Sequence, residues 1–95
     1  MPRPCKQRRV RGRPNSSYFK PAGIPKINLE EVILAIDEFE ALRLKDLLNL
    51  DQNECAEKMH ISQPTFHRLI LSARRKIADS IVNGKAIKIE SNIII

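Results

Sequence analysis

Twenty-one residues, Asp51 to Leu71 (DQNECAEKMHISQPTFHRLIL), restrict what this chain can fold into more than any other stretch. They read as helix, tight turn, helix. On a helix-turn-helix template starting at Gln52, the first helix turns Cys55, Ala56 and Met59 inward, and the second sets Phe66 and Leu69 against them. Ala56 falls where two helices must cross closely, and a larger side chain there would push the axes beyond the usual ~8–10 Å. Ile61 plugs the turn. Ser62 can accept a backbone N–H from the next turn as an N-cap, and Pro64 follows where its missing N–H costs nothing. His60 opens the turn at a position where Gly is common. A left-handed conformation there should cost about 1 kcal/mol, since His is among the non-Gly residues enriched at positive φ. An ordinary helical hairpin needs only core spacing. The small residue, plug and cap all fall in register as well, which favours the helix-turn-helix.

The second helix of the motif does not stop at Leu71. Its apolar pattern continues through Ala73, Ile77, Ala78, Ile81 and Val82 until Gly84, so a helix from Gln63 to Asn83 would be near 30 Å long and only its N-terminal half could enter one groove of DNA. Ahead of the motif, LEEVILAI (29–36) is read as a strand because Val32, Ile33 and Ile36 are β-branched. Asp37 with Glu40 suggests a capping box that starts a helix over about Glu38 to Leu48, apolar through Phe39, Ala41, Leu42, Leu44, Leu47 and Leu48. After Gly84, KAIKIE alternates as a strand should, and its expected pairing is 86–90 with about 32–36. The pattern leaves open whether that pairing is within one chain or across a dimer. The expected class is mostly α, a three-helix bundle with two short strands and an extended N-terminal arm. The low aromatic content, 4% with no Trp, fits such a module better than a β-sandwich.

The net charge of +6 is unevenly placed. Residues 1–26 hold eight Lys or Arg and no acid, whereas residues 27–95 sum to −2. The expected organisation is therefore a basic arm over 1–27 joined to a nearly neutral domain over 28–95, the layout of a segment that binds polyanions. Residues 1–17, with three prolines, offer no core and are expected to stay mobile when free. Arg8, Arg9, Arg11 and Arg13 are its candidate phosphate contacts. Arg11-Gly12-Arg13-Pro14 resembles the centre of an AT-hook, in which Gly permits close approach to the minor groove. YFKPAGIP (18–25) reads as an ordered extended turn, with Tyr18 and Phe19 anchoring it on the helices rather than stacking on bases.

Several stretches together resemble one family, UPF0251 or DUF134, predicted DNA-binding proteins whose helix-turn-helix looks like region 4 of bacterial sigma factors. They are MPRP (1–4), YFKPAGIP (18–25), DEFEALRLKD (37–46), ECAEKMHISQPTFHRLILSARRKIAD (54–79) and VNGKAIKIE (82–90), nearly the whole chain. His60, where the family tends to have Gly, and the final SNIII depart from its pattern. The resemblance implies DNA binding and supplies no target.

On the second helix, Gln63, Thr65, His67 and Arg68 fall where such motifs reach base edges. Arg68 can fork onto guanine, Gln63 can pair with adenine, and Thr65 can meet thymine. Ser62, Arg74, Arg75 and Lys76 are placed for phosphates, which position a protein without reading sequence. The expected function is sequence-specific duplex-DNA binding by a transcriptional regulator. The alternatives are a sigma-like module contacting the transcription machinery, or RNA binding. No nucleophile-base pair, Gly-rich phosphate loop or carboxylate dyad suggests an enzyme, and no cofactor is expected. Cys55, Met59, His60 and His67 fit no zinc spacing, so no metal is expected either. Nothing approaches the ~20 apolar residues of a membrane span, the N-terminus lacks the apolar run of a signal peptide, and Cys5 and Cys55 suggest no disulfide framework. A cytoplasmic protein follows, with self-association as a homodimer the default for so small a core.

Overall fold

The computed structural model describes residues 9–90. Strand β1 spans Tyr18–Phe19, β2 spans Glu31–Ala35 and β3 spans Ala86–Glu90, while the helices are α1 (Ile36–Leu42), α2 (Gln52–Met59) and α3 (Gln63–Asn83). The mostly α architecture holds, but the sheet has three strands rather than two. Its order is β1-β3-β2, with β3 parallel to β2 and antiparallel to β1. The β2–β3 pairing lies within one chain and runs from Glu31 opposite Ala86 to Ala35 opposite Glu90, one residue earlier than the expected 32–36.

Tyr18 and Phe19 pair with Lys88 and Ile87. They anchor on the sheet, which corrects the expected anchoring on the helices. With β2 on one side, the free edge of β3 needs hydrogen-bond partners, and Ile89 N donates to Ser17 O at 2.9 Å. Gly23, at φ 82°, helps the chain turn back toward β2. A two-residue strand is too short to leave an alternation in the sequence.

α1 begins at Ile36, directly after the last paired residue of β2. This moves the capping carboxylate from the expected Asp37–Glu40 pair to Glu38, which accepts the Ala35 N–H at 2.9 Å. Asp37, Glu38 and Glu40 are all buried. At its far end α1 widens into a π turn over Arg43–Leu47, closed by Leu48 N donating to Arg43 O at 2.9 Å. The wider turn rotates the residues at its end off the core stripe. Leu47 and Leu48 are therefore exposed, at 76% and 48%, although the apolar pattern placed both in the bundle.

The core joins Ala41 and Leu44 of α1 and its π turn, Cys55, Ala56 and Met59 of α2, and Phe66 and Ile70 of α3. Each large side chain among them contributes about 1.5–3 kcal/mol on leaving water. Ala56 is 2% exposed between α2 and α3, the small residue that lets them meet. Burial pushes the Cys55 thiol above its ordinary pKa, which keeps it protonated and inert. Ser62 caps α3 by accepting Thr65 N–H at 3.2 Å, and Gly84, at φ 67°, closes it after twenty-one residues.

Residues 9–17, expected to be mobile, are tied to the domain through their backbone. Arg9 N donates to Met59 O at 3.1 Å, and Arg11 N and Gly12 N donate to the Glu40 carboxylate at 3.1 and 3.2 Å. The arm has little apolar surface with which to pack. A buried carboxylate on α1 holds it instead.

Candidate nucleic-acid interface

The geometry starts at the turn between α2 and α3. Asp51 caps α2 by accepting Glu54 N–H at 2.8 Å. His60 then takes the left-handed conformation, φ 59° and ψ 43°, and its N–H donates back to Ala56 O and Glu57 O. Ile61 N donates to Ala56 O at 3.1 Å and its side chain packs against the core, so three residues suffice to turn the chain into α3. One face of the start of α3 is open to solvent, with Gln63, Pro64, His67, Arg68 and Leu71 all exposed, while Phe66 on the other face is buried in the core.

The expected base-reading residues divide within these first turns. His67 and Arg68 face solvent. Arg68 also reaches the Thr65 hydroxyl at 3.5 Å. Gln63 is exposed and donates to Asn53 Oδ1 at 2.9 Å, which holds its amide toward α2. Thr65 is half-buried, and the Ser62 hydroxyl donates to it at 2.9 Å. Ser62 and Thr65 thus serve the cap of α3 first.

The expected phosphate contacts divide more sharply. Arg75 is exposed and has no ion pair among the described residues. Arg74 is held by Asp46 through two hydrogen bonds, at 2.6 and 3.1 Å. This pair holds the Asp46 carboxyl below its usual range. Lys76 donates to Glu38 at 2.7 Å, and Ser72 donates to the same carboxylate. Burial pushes Glu38 up, yet Lys76, Ser72 and the Ala35 N–H together outweigh it and hold the carboxyl below its ordinary value. Lys76 is therefore spent inside the protein. Arg9, Arg11 and Arg13 are exposed, while Arg8 lies outside the described residues, as do Cys5 and the final SNIII.

Sequence reasoning missed the three acids that organise these cations, Glu38, Glu40 and Asp46. A signal was available for two of them: Glu38 lies three residues before Ala41 and Glu40 four before Leu44, which puts both on the core stripe. Their charge concealed it. Elsewhere, an apolar groove of about 620 Å³ runs between residues 13–15, α1 and the sheet, lined by Phe19, Leu34, Phe39, Leu42, Leu47 and Ile89. It includes none of residues 60–68. Among the described residues no three His, Cys, Asp or Glu side chains converge as a metal site requires, and no helix is long and apolar enough to cross a membrane.

Comparison with known proteins places the sequence of this chain among relatives. The family model described as "Protein of unknown function DUF134" matches residues 1–93. A UPF0251 protein of Caldanaerobacter subterraneus subsp. tengcongensis is 63% identical over 95% of this chain and 76% of its own length. One from Thermoanaerobacter pseudethanolicus is 60% identical with the same coverage, and one from Dehalococcoides mccartyi is 55% identical over 98% of this chain and 80% of its own. No solved structure matches.

Proposed function

This chain belongs to the DUF134 family, the UPF0251 proteins, and from that premise we propose that it binds duplex DNA sequence-specifically as a transcriptional regulator. The carrying observation is the exposed start of α3. His67 and Arg68 project to solvent from the first turns of a helix whose opposite face Phe66 seats in the core. Read as a helix-turn-helix, α2 and α3 would set these side chains, with Gln63 beside them, against base edges in the major groove. Arg75 would meet phosphate about two turns further along. Arg9, Arg11 and Arg13 would add backbone affinity, since the segment that carries them ends at the same turn.

The C-terminal half of α3 has another character. Ile81 and Val82 are 74% and 79% exposed. They favour a second reading, in which α3 also meets protein: a second copy of the chain, or the transcription machinery if the module is sigma-like.

Selection of bound duplexes from a random pool separates these readings. An enriched motif is expected, and a palindrome would identify two copies on one site. Recovery of unenriched duplexes would discard sequence-specific binding. Preference for RNA competitors would replace DNA with RNA as the ligand.

A further inference from the structure

The Glu40 side chain is 2% exposed and faces the basic arm from α1. One oxygen accepts Arg43 Nε at 2.8 Å and Gly12 N at 3.2 Å, and the other accepts Arg43 Nη2 at 2.9 Å and Arg11 N at 3.1 Å. Four donors saturate the carboxylate. Two are consecutive backbone amides, so the arm is gripped by its main chain and its side chains are left over.

The side chains that remain alternate. Arg9, Arg11 and Arg13 are exposed, whereas Val10, Gly12 and Pro14 are half-buried. Successive arginines are no more than about 7 Å apart along the chain. Arg11 and Arg13 have no ion pair among the described residues. At its near end the segment is held again, by Arg9 N on Met59 O and by the Arg9 guanidinium donating to His60 Nε2 at 3.3 Å. The row of cations therefore leads to the turn from which α3 starts.

Gly12 makes the grip possible. A Cβ there would lie 2.2 Å from Arg43 Nε and 2.4 Å from Arg43 Cδ. The close approach that this glycine permits is to Arg43, a different use from the minor-groove approach expected of an AT-hook.

We infer that Glu40 is a positioning residue for nucleic-acid binding: with Arg43 and Gly12 it pre-orders Arg9, Arg11 and Arg13 as a cationic ladder for the phosphates of the duplex that α3 contacts. The inference rests on the DNA-binding reading above. It assigns to a buried acid a favourable role in binding a polyanion. A pre-ordered segment binds more tightly because it has less conformational freedom left to lose.

The sign of the Glu40 effect makes this testable. Glu40→Gln removes a negative charge, so charge alone would tighten binding to DNA. Positioning has the opposite consequence. The experiment measures affinity of the full chain for a mixed-sequence duplex against salt, for the parent, Glu40→Gln and the charge-neutral Gly12→Ala, each well below its own melting temperature. The parent slope of log affinity against log salt should be steep, and both variants should flatten it by about 2 to 3, close to 0.9 for each lost phosphate contact. Folding is followed separately by thermal melting, and Gly12→Ala, outside the core, keeps the test open if Glu40→Gln is poorly folded. Unchanged or tighter binding by Gly12→Ala, or by a folded Glu40→Gln, would overturn the role of Glu40 alone. A parent that shows no salt-dependent duplex binding would overturn the DNA-binding reading with it.

Discussion

Lys76 of α3 and Glu38 of α1 meet at 2.7 Å, with the carboxylate side chain 6% exposed and the lysine side chain 35%. Thirty-eight residues separate them in the chain, and the contact fixes the middle of α3 against the start of α1. A buried charge stripped of its partner is costly, while the exposure of Lys76 lets water replace part of what is lost. Lys76→Met should therefore destabilise the protein by about 1–3 kcal/mol in urea unfolding. Because the ammonium is already engaged, the salt slope of DNA binding should not move. A slope reduced by about 1 at unchanged stability would return Lys76 to the phosphate contacts.

Arg68 and Arg75 are expected to separate by kind of contact. Arg68→Ala should cost about 1–3 kcal/mol on a selected site and relax preference at one base pair. Arg75→Ala should weaken all duplexes alike and lower the salt slope by about 1. Equal losses for Arg68→Ala on selected and random duplexes would make it a phosphate contact.

His60, at φ 59°, carries a left-handed strain that glycine does not. His60→Gly should raise stability by about 0.5–1 kcal/mol, the relief being partly offset by the greater freedom of glycine in the unfolded chain. A lower melting temperature for His60→Gly would mean that its contact with Arg9 outweighs the backbone strain.

Acid should destabilise this protein chiefly through its two buried carboxylates with lowered pKa, Glu38 and Glu40, with the more exposed Asp46 acting in the same direction. Burial pushes Glu38 and Glu40 up, but their donors outweigh it and both lie below the ordinary value of 4.5. The unfolded chain therefore takes up protons first as pH falls, and stability rises with pH across this window. The contribution is fully present above about pH 4.5 and is lost as pH drops through the lower folded values. Urea midpoints measured from about pH 7 down to about pH 3 should show that loss, and Glu38→Gln should flatten it. An equally steep fall in the variant would assign the acid transition to other groups.

What the sequence determined by itself is local. Ser62, Pro64 and Gly84 mark both ends of α3 because capping and breaking act within a few residues, and Ala56, Met59 and Phe66 reveal their core face because helical spacing imposes it. The left-handed turn at His60 was legible for the same reason. Tertiary structure decided everything that depends on a distant partner. It placed Glu38 opposite Lys76 and Asp46 opposite Arg74, so cations in one unbroken run, Arg74-Arg75-Lys76, separate into two that hold the protein together and one, Arg75, left to solvent. It also drew Arg11 and Gly12 onto Glu40, and Arg9 onto Met59, through backbone amides, which every sequence possesses and composition therefore cannot announce. Charge is a property of the residue, but its availability to a ligand is set by what the fold brings within hydrogen-bonding distance.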